Sequence, residues 1–452
     1  MSAPTVIPLV DEGLGNSSYL VDLGDGRALA VDPSRDLRAL RAASERHKLR
    51  VAYAADTHLH ADFLTGACQL AATDNATILA SAAGGRGYDH QGLRDGAEVD
   101  LGGLRLRALT TPGHTDEHIA FLLLDGDQPV GLFTGGSLIV GSAARTDLVH
   151  ADRTEALARA QYASLHRLMT LPDTAFVWPT HGAGSFCSAP PGADRTSTIG
   201  RERTTNPLLQ QPDEDAFVAA LLGSLGSYPP YFGQLGEINR RGPDLLIPPL
   251  GLEPISVHDV ARLRAAGTLV VDVRPIAAYA AGHIPGSLSI ELREAFATWL
   301  GWLVPFGAAP VVVRDADQDP AEIAWQAAKI GYTLAGELDG GLLAWQTAGR
   351  PTSETPLVTP SDIDGKHVLD IRQQAEFDSA HVPGAQHIEL GDLADAASTV
   401  EAPATVLMCG HGERAMSGAS LIEHAGGPPV AVLLGGPDDW SSTYGRPLET
   451  RS

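Results

Sequence analysis

An internal repeat in the carboxyl-terminal half of the chain constrains its fold more than any other feature. Residues 269–286 contain L-V-V-D-V-R and then H-I-P-G, and residues 368–384 contain V-L-D-I-R and then H-V-P-G. Both copies alternate short β-rich runs with helical stretches such as 320–330. That alternation is typical of a parallel sheet with crossover helices. The repeat therefore predicts two tandem α/β domains, at 251–352 and 355–452.

The composition is that of an ordinary globular protein with a strong negative charge. Of the 452 residues, 44% are hydrophobic and 19% are charged, which excludes a disordered chain and a coiled coil. The formal charge of -23 repels nucleic-acid phosphates and anionic lipid surfaces. No apolar run approaches the roughly 20 residues of a membrane span, and the N-terminus lacks the pattern of a secretory signal. We therefore expect a cytoplasmic protein that binds neither nucleic acid nor membranes.

The first 187 residues contain strand-like runs, most of which lead directly into a polar or glycine-rich motif. These runs are 28–31, 51–55, 104–109, 118–124, 130–133 and 175–178. Active residues at the carboxyl ends of strands are typical of α/β folds. The segment 188–250, rich in Pro, Gly and polar residues, is interpreted as a linker with a substrate-side loop, part of which can pack as helix.

Histidines follow three of these strand-like runs. His58, His60 and Asp62 lie at alternate positions in T-H-L-H-A-D, so an extended turn would point them to one side. His114 lies in T-P-G-H-T and His181 in P-T-H-G. A lone histidine is usually a surface or capping residue, but neutral imidazole is also the commonest metal ligand. The set as a whole predicts a metal site.

On these motifs, residues 1–187 resemble the metallo-β-lactamase superfamily, which implies an αββα sandwich with a metal site at its edge. The sequence departs from the family pattern twice: Phe63 replaces the fourth motif histidine, and Gly136 replaces the usual metal-bridging aspartate. Three ligands with open positions suit catalytic zinc or ferrous iron. The resemblance implies a first site of His58, His60 and His114, and leaves Asp62 and His181 as remnants of a second.

The tandem copies resemble rhodanese domains through their shared D-x-R and H-x-P-G motifs. In the second copy a strand runs into C-G-H-G-E-R, from Cys409 to Arg414. Backbone N–H groups curled around the sulfur, together with a helix N-terminus, favour a thiolate that can carry sulfane sulfur as a persulfide. We expect Cys409 and Arg414 to be catalytic. We expect the intervening loop residues to bind substrate: Gly410, His411, Gly412 and Glu413.

The first rhodanese-like copy has no cysteine at the corresponding place. It offers Arg314 and Asp315 instead, so we expect a structural or docking module. The remaining cysteines, Cys68 and Cys187, fit core packing better than function, although Cys187 is close to His181 in sequence. Three widely separated cysteines also argue against a disulfide framework.

The whole chain resembles bacterial fusions of a persulfide dioxygenase with rhodanese domains. The resemblance implies one ferrous iron per chain, which with dioxygen converts a low-molecular-weight thiol persulfide to sulfite and thiol. It also implies that Cys409 exchanges sulfane sulfur with that chemistry. The family iron would use His58 and His114, with His60 or Asp62 in place of the aspartate missing at position 136.

Two further residues are candidates for the thiol site. Arg145 matches a family position near the thiol substrate and could pair with a carboxylate. The alternative interpretation of Arg145 is a surface ion pair with Asp147 or Asp152. Tyr231 could line the same pocket. The alternative interpretation is that its ring only packs within a loop.

Three functions stay open. The first is the iron-dependent dioxygenase coupled to a sulfurtransferase. The second is a zinc thiolester hydrolase of the glyoxalase II type, against which the missing second-site ligands count. The third is a working rhodanese whose first domain is an altered scaffold. The carrier thiol stays open, and the resemblance implies a homo-oligomer.

Overall fold

The computed structural model describes residues 4–187, 192, 194–397, 400 and 405–451. The chain forms two compact units. One contains the residues up to Pro248 together with Ala328–Gly331, and the other contains the rest. In the described ranges, no helix is both long enough and apolar enough to cross a lipid bilayer.

The first sheet of the first unit keeps its strands in chain order. Its strands are β1 (Val6–Asp11), β2 (Asn16–Asp22), β3 (Arg27–Val31), β4 (Arg50–Ala55), β5 (Thr77–Ser81) and β6 (Gln91–Leu93). Strands β1 to β3 are antiparallel, and β3 to β6 run parallel. The carboxyl ends of β3 and β4 therefore meet at one edge, where the first histidine motif begins.

The second sheet of this unit has the order β12-β11-β10-β9-β8-β7. Its strands are β7 (Glu98–Asp100), β8 (Leu104–Thr110), β9 (Ile119–Asp125), β10 (Gln128–Gly135), β11 (Phe176–Pro179) and β12 (Ser197–Thr198). Apolar side chains of the two sheets form one buried core, with Tyr19 and Val31 from the first sheet and Leu106, Phe121 and Phe133 from the second. The sheets therefore pack face to face.

Helices cover the outer faces of both sheets. They are α1 (Arg38–His47), α2 (Ala67–Asp74), α3 (Thr154–Leu168), α4 (Ile199–Thr205), α5 (Glu214–Gly223) and α6 (Phe232–Arg241). Leu40 of α1 and Leu70 of α2 pack on the first sheet, while Leu165 of α3 and Phe217 of α5 pack on the second. The expected αββα sandwich is confirmed. Helices α4 to α6 lie within 188–250, so part of the segment interpreted as a linker is helical. The domain boundaries stay a prediction.

The second unit contains both copies of the repeat, each with its own parallel sheet. The first copy has the order β13-β17-β16-β14-β15, with β13 (Pro254–Ile255), β14 (Val270–Asp272), β15 (Leu288–Ser289), β16 (Val311–Val313) and β17 (Gly336–Leu338). The second has the order β18-β22-β21-β19-β20, with β18 (Leu357–Val358), β19 (His367–Asp370), β20 (Gln386–His387), β21 (Thr405–Met408) and β22 (Ala431–Leu433). The two orders are the same pattern, which confirms two similar α/β domains.

Helices connect these strands. In the first copy they are α7 (Val257–Ala265), α8 (Ile276–Ala281), α9 (Phe296–Leu303), α10 (Pro320–Lys329) and α11 (Gly341–Thr347). In the second they are α12 (Gln374–Ser379), α13 (Leu393–Ala396), α14 (Glu413–His424) and α15 (Pro437–Tyr444).

The motifs that define the repeat hold each copy together. In the first copy, Arg274 donates to both carboxylate oxygens of Asp272 (2.9 and 2.7 Å) and to the Gly282 carbonyl (2.8 Å). Arg372 makes the same contacts with Asp370 (3.0 and 2.7 Å) in the second copy. These ion pairs are buried, so removing one partner would leave the other charge buried without compensation. The D-x-R motif is therefore structural, which explains why the cysteine-free copy retains it.

Candidate metal centre and sulfur-transfer loop

The first imidazole of the site, His58, follows strand β4 and is oriented by its neighbour Thr57. The Thr57 hydroxyl and backbone N–H both donate to the carboxylate of Asp32 (2.7 Å each). The same hydroxyl lies 2.9 Å from His58 Nδ1. Because the hydroxyl has one proton, which Asp32 accepts, His58 donates from Nδ1. Its Nε2 lone pair is therefore available to a metal.

His114 follows strand β8 and is held by helix α3. Gln161 Oε1 accepts the His114 backbone N–H (2.9 Å), and the helix comes so close that any side chain at Gly113 would overlap Gln161. The ring Nδ1 donates to the Arg145 carbonyl (2.6 Å). This bond fixes the tautomer, so Nε2 of His114 is also unprotonated and available.

His181 follows strand β11 and completes the cluster. Its Nδ1 lies 3.2 Å from Asp62 Oδ2 and 3.1 Å from Asn16 Oδ1. The Asn16 side-chain amide in turn donates to Asp62 Oδ2 (2.8 Å). His181 Nε2 lies only 3.4 Å from His58 Nε2. Two imidazole lone pairs at that distance repel unless a proton or a cation lies between them.

The predicted ligands converge. The ring centroid of His58 lies 4.8 Å from that of His114 and 5.4 Å from that of His181. Within the described residues, groups of buried side chains have metal-ligating atoms within 4.8 Å of one another: His58, His60 and His181; His114, His181 and Cys187; and Asp32, Asp56 and His60. His181 belongs to two of these groups, so a metal bound there has donors on either side. Which residues bind the metal stays a prediction.

The environment favours neutral imidazoles at His58 and His114, a protonated one at His181, and a charged carboxylate at Asp62. Burial opposes the protonation of His181, yet Cys187 and Asp62 raise its pKa well above the ordinary value. Burial lowers the pKa of His58 well below its ordinary value, and the surrounding imidazoles lower it further. Burial and the charge of His181 lower the pKa of His114 to about 3. Burial opposes the ionisation of Asp62, yet His181 and Asn16 lower its pKa to about 2. Neutral imidazole is the form that binds a metal.

Gly136, where the family aspartate is missing, packs directly against His114. A Cβ atom at position 136 would lie 2.4 Å from His114 Cδ2, closer than real contacts allow. The Gly136 N–H donates to Nε2 of His118 (3.1 Å), a buried histidine whose Nδ1 lies 2.8 Å from the Thr111 hydroxyl. The aspartate therefore cannot be restored here unless His114 moves.

The ring nitrogens of His60 favour metal binding because they have no hydrogen-bond partners among the described residues. In the part of the chain that the structure describes, neither ring nitrogen of this fully buried side chain has a hydrogen bond. Its Nε2 lies 3.2 Å from Asp32 Oδ1, an ionic distance without hydrogen-bond geometry. Its ring stacks on Phe63 (centroids 4.2 Å apart), which fills the place of the family's fourth histidine. Buried nitrogens without partners are costly unless a ligand satisfies them.

The loop that starts at Cys409 surrounds a buried thiol. Cys409 follows strand β21, and its Sγ accepts the backbone N–H of Gly412 (3.1 Å). Gly412 has a φ of +112°, a conformation that favours glycine, and it precedes helix α14. His411 is exposed, whereas Gly410 and Glu413 are half-buried. The loop thus has the predicted form, with a backbone donor and a helix N-terminus at the sulfur.

Arg414 does not point freely into solvent. It forms a bidentate ion pair with Glu376 (2.6 and 2.8 Å), and its guanidinium lies 5.8 Å from the ring centroid of Trp299. Trp299 belongs to helix α9 of the cysteine-free copy. From the same copy, Ile276 lies within 3.2 Å of where a Cβ at Gly412 would be. The cysteine-free copy therefore lines the sulfur-transfer loop.

Arg314 occupies the position of the missing cysteine in the first copy. Strands β14 and β16 pair in the same register as β19 and β21, so Arg314 corresponds to Cys409. Its guanidinium pairs with Glu337 (3.0 Å from Nη2 to Oε1) and donates to the carbonyls of Asp315 (3.1 Å) and Gln318 (2.9 Å). A charged side chain fills the place where the second copy holds its thiol.

Known proteins resemble both the sandwich domain and the tandem α/β domains of this chain. A family model described as "Rhodanese-like domain" matches residues 256–348 and 357–443. A crystal structure of a metallo-β-lactamase from Staphylococcus aureus aligns with a TM-score of 0.65 and 31% identity, over 75% of this chain and 99% of that one.

The chain belongs to the metallo-β-lactamase superfamily. A hydroxyacylglutathione hydrolase of Methylococcus capsulatus is 33% identical over 52% of this chain and 95% of its own length. The mitochondrial persulfide dioxygenase ETHE1 of Homo sapiens is 29% identical over 42% of this chain and 70% of its own. This superfamily member thus joins a persulfide dioxygenase-like domain to tandem rhodanese-like domains. It is an enzyme, and these relatives indicate sulfur metabolism.

In this superfamily member, Arg145 forms the ion pair that the sequence offered as an alternative to substrate binding. The guanidinium is bidentate to Asp147 (2.7 and 2.8 Å), and it also donates to the carbonyls of Phe186 (3.0 Å) and Gly226 (2.8 Å). It stacks over Tyr228 at 4.3 Å. Arg145 is buried and Asp147 is half-buried, so a substrate carboxylate would have to compete with Asp147.

Tyr231 packs beneath the histidine motif. It is buried, and its hydroxyl donates to the Asp62 carbonyl (3.0 Å). From helix α6, Asn239 donates to the carbonyls of His60 (2.7 Å) and Phe63 (2.9 Å). The segment 188–250 therefore stabilises the H-x-H-x-D turn by donating hydrogen bonds to its carbonyl groups.

Several residues of the site escaped the sequence analysis. Asp32 directly follows strand β3, and a polar residue at the end of a strand is a signal that the sequence displays. His118 lies four residues after His114 in H-T-D-E-H, another visible signal. Asn16 and Gln161 carry no motif, because their roles depend on long-range contacts of a hairpin and a helix.

Proposed function

We propose that the chain is a metal-dependent persulfide dioxygenase coupled to a rhodanese sulfurtransferase. The observation that carries the proposal is the presence, in one chain, of a buried imidazole cluster and a cradled cysteine loop. Relatives named persulfide dioxygenase match the first of these regions, and the rhodanese-like model matches the second. Cys409 would accept sulfane sulfur, and the metal centre would oxidise a thiol persulfide.

A cavity beside His114 supports the first half of this proposal. Its volume is about 380 Å³, within the range of small-molecule sites. The walls combine apolar and charged side chains, including Leu59, Ala61, Val149, Phe232, Glu117 and Arg240. A thiol persulfide of a few tens of atoms would fit with its terminal sulfur at the imidazoles.

The donor set fits iron or zinc, and His58, His60, His114 and His181 are the residues that would hold the ion. A bound ferrous ion would supply open coordination positions for sulfur and dioxygen. One persulfide, one dioxygen and one water give one thiol and one sulfite with two protons. The protein contributes imidazole donors, the buried Asp62 charge and a cavity that shields the persulfide from bulk water.

One observation favours the alternative of a rhodanese with an altered scaffold. The packing of Gly136 against His114 leaves no room for the acidic ligand that the family iron uses. On this alternative, Cys409 transfers sulfur while the first domain binds a metal without consuming dioxygen.

The test is dioxygen consumption by anaerobically prepared protein loaded with iron. With glutathione persulfide as substrate, we expect consumption in the wild type and its loss in His114→Ala. Cys409→Ser should retain dioxygen uptake with this substrate but lose thiosulfate sulfurtransfer. Stoichiometric iron without dioxygen uptake, alongside Cys409-dependent transfer, would establish the altered scaffold instead. Hydrolysis of a thiolester of glutathione by the zinc-loaded protein would contradict both functions.

A further inference from the structure

Cys187 lies in the metal cluster although no motif marked it. The side chain is fully buried, and its sulfur is within 4.8 Å of ligating nitrogens of His114 and His181. His181 in turn lies 3.4 Å from His58 through their Nε2 atoms. A buried thiol could be simple packing, but this one has imidazole neighbours whose lone pairs are available to a metal.

The backbone around Cys187 is held in register with His114 by one residue. The Arg145 backbone N–H bonds to the Cys187 carbonyl (3.4 Å), and the Arg145 carbonyl accepts His114 Nδ1–H (2.6 Å). The Arg145 guanidinium also donates to the Phe186 carbonyl (3.0 Å). The Cys187 N–H donates to Ser185 Oγ (3.2 Å). The sulfur and the His114 ring are thus fixed relative to each other, as ligands of one ion must be.

Among the described residues, the group of candidate ligands that contains His114 includes no carboxylate. Gly136 cannot hold the acidic side chain of the family pattern, and Asp62 is already bound to His181 and Asn16. A centre built from imidazoles alone would have no anionic atom in direct contact with the ion, and Asp62 would balance its charge only through His181. A thiolate at position 187 would supply one negative charge.

We propose that Cys187 is a thiolate ligand of the metal centre, together with His114 and His181. The inference rests on the proposed function only in that the site holds a metal. Binding releases the thiol proton to solvent, and the sulfur–metal bond replaces the sulfur–hydrogen bond without any oxidant. A donor set of nitrogen and sulfur suits zinc, cobalt or ferrous iron.

The experiment is cobalt loading of the full chain in a Cys409→Ser background, so that the rhodanese thiol gives no signal. We expect one Co²⁺ per chain and a near-ultraviolet sulfur-to-cobalt charge-transfer band. Cys187→Ala should lose the band and bind cobalt at least about tenfold more weakly. The matched control is Cys68→Ala, which removes the half-buried thiol of helix α2 and should retain both. A band that survives Cys187→Ala, or cobalt bound by the parent without a band, would overturn the proposal.

A second measurement needs no alanine variant. X-ray absorption of the zinc-loaded Cys409→Ser protein should give a zinc–sulfur path of about 2.3 Å, and Cys187→Ser should remove it. Nitrogen and oxygen scatterers alone in the parent would refute the ligand. Neither readout involves dioxygen, so an iron-loaded protein that consumes none would refute the dioxygenase while leaving the Cys187 result to stand.

Discussion

At the scale of single residues, Gly136 shows how one small side chain determines the arrangement of a metal site. The absence of a Cβ lets the His114 ring approach the backbone, where its Nδ1 meets the Arg145 carbonyl. The same absence removes a carboxylate from the centre. Geometry and charge therefore change together.

We expect Gly136→Asp to fail as a restoration of the family pattern. The new Cβ would overlap His114, and overpacking of a buried site costs about 1–3 kcal/mol of unfolding free energy. Urea unfolding should show this loss, and cobalt titration should show no gain in affinity.

The matched control for that prediction is Gly136→Ala, which adds the same Cβ without the carboxylate. Both variants should lose similar stability. If Gly136→Asp were as stable as wild type and bound metal more tightly than Gly136→Ala, His114 would have to be mobile, and the observed packing would not limit the site.

The sequence predicted that certain side chains lie close together where they share a local motif. The sequence shows His58, His60 and Asp62 at alternate positions after a strand. All three lie in the buried histidine cluster with His181. The partnership of His181 with Cys187 is not visible, because it depends on how a loop returns to the cluster after strand β11. The spacing of residues along the chain does not predict how that loop folds.

At the scale of elements, the sulfur-transfer loop depends on a helix and a strand from different copies. Helix α14 of the second copy contacts strand β15 of the first through serines. Ser289 N–H donates to Ser420 Oγ (3.0 Å), and Ser417 Oγ donates to the Ser289 carbonyl (2.6 Å). Since α14 begins beside Cys409, these bonds help to position the loop.

We expect Ser420→Ala to destabilise the chain and to slow Cys409-dependent sulfurtransfer. The variant leaves the buried Ser289 N–H without its acceptor, at a cost of about 1–3 kcal/mol. Thr347→Ala is the control, because that exposed hydroxyl bonds only within helix α11 and its loss should cost less than about 0.5 kcal/mol. Urea unfolding and initial transfer rates measure both. Equal effects in the two variants would contradict a specific role for the contact.

The elements themselves were largely predictable from the sequence. The strand-like runs at 28–31, 51–55 and 104–109 lie in β3, β4 and β8, because short β-rich runs bounded by turn residues form buried strands. Helices α5 and α6 were not placed, since proline and glycine nearby masked their apolar positions. Their cores form only against the second sheet and the histidine turn.

At the scale of the whole molecule, each compact unit has its own core and its own candidate site. We therefore expect the two chemistries to be separable. Cys409→Ser should abolish sulfurtransfer and leave the bound metal at the wild-type level. His58→Ala should lower metal content and leave thiosulfate sulfurtransfer within about twofold, since sites that share no partners are usually additive. Elemental analysis and transfer rates measure this. A loss of metal in Cys409→Ser would show that the units are coupled.

Arg314 also determines how readily the first rhodanese-like copy could be converted into a second sulfur-transfer domain. A single Arg314→Cys replacement would introduce a sulfur atom but leave Glu337 and the carbonyls of Asp315 and Gln318 without their donor. Partly buried groups left unsatisfied in this way destabilise a fold. An engineered second nucleophile at this strand end would therefore require several coordinated substitutions, while the wild-type copy lines its neighbour's loop.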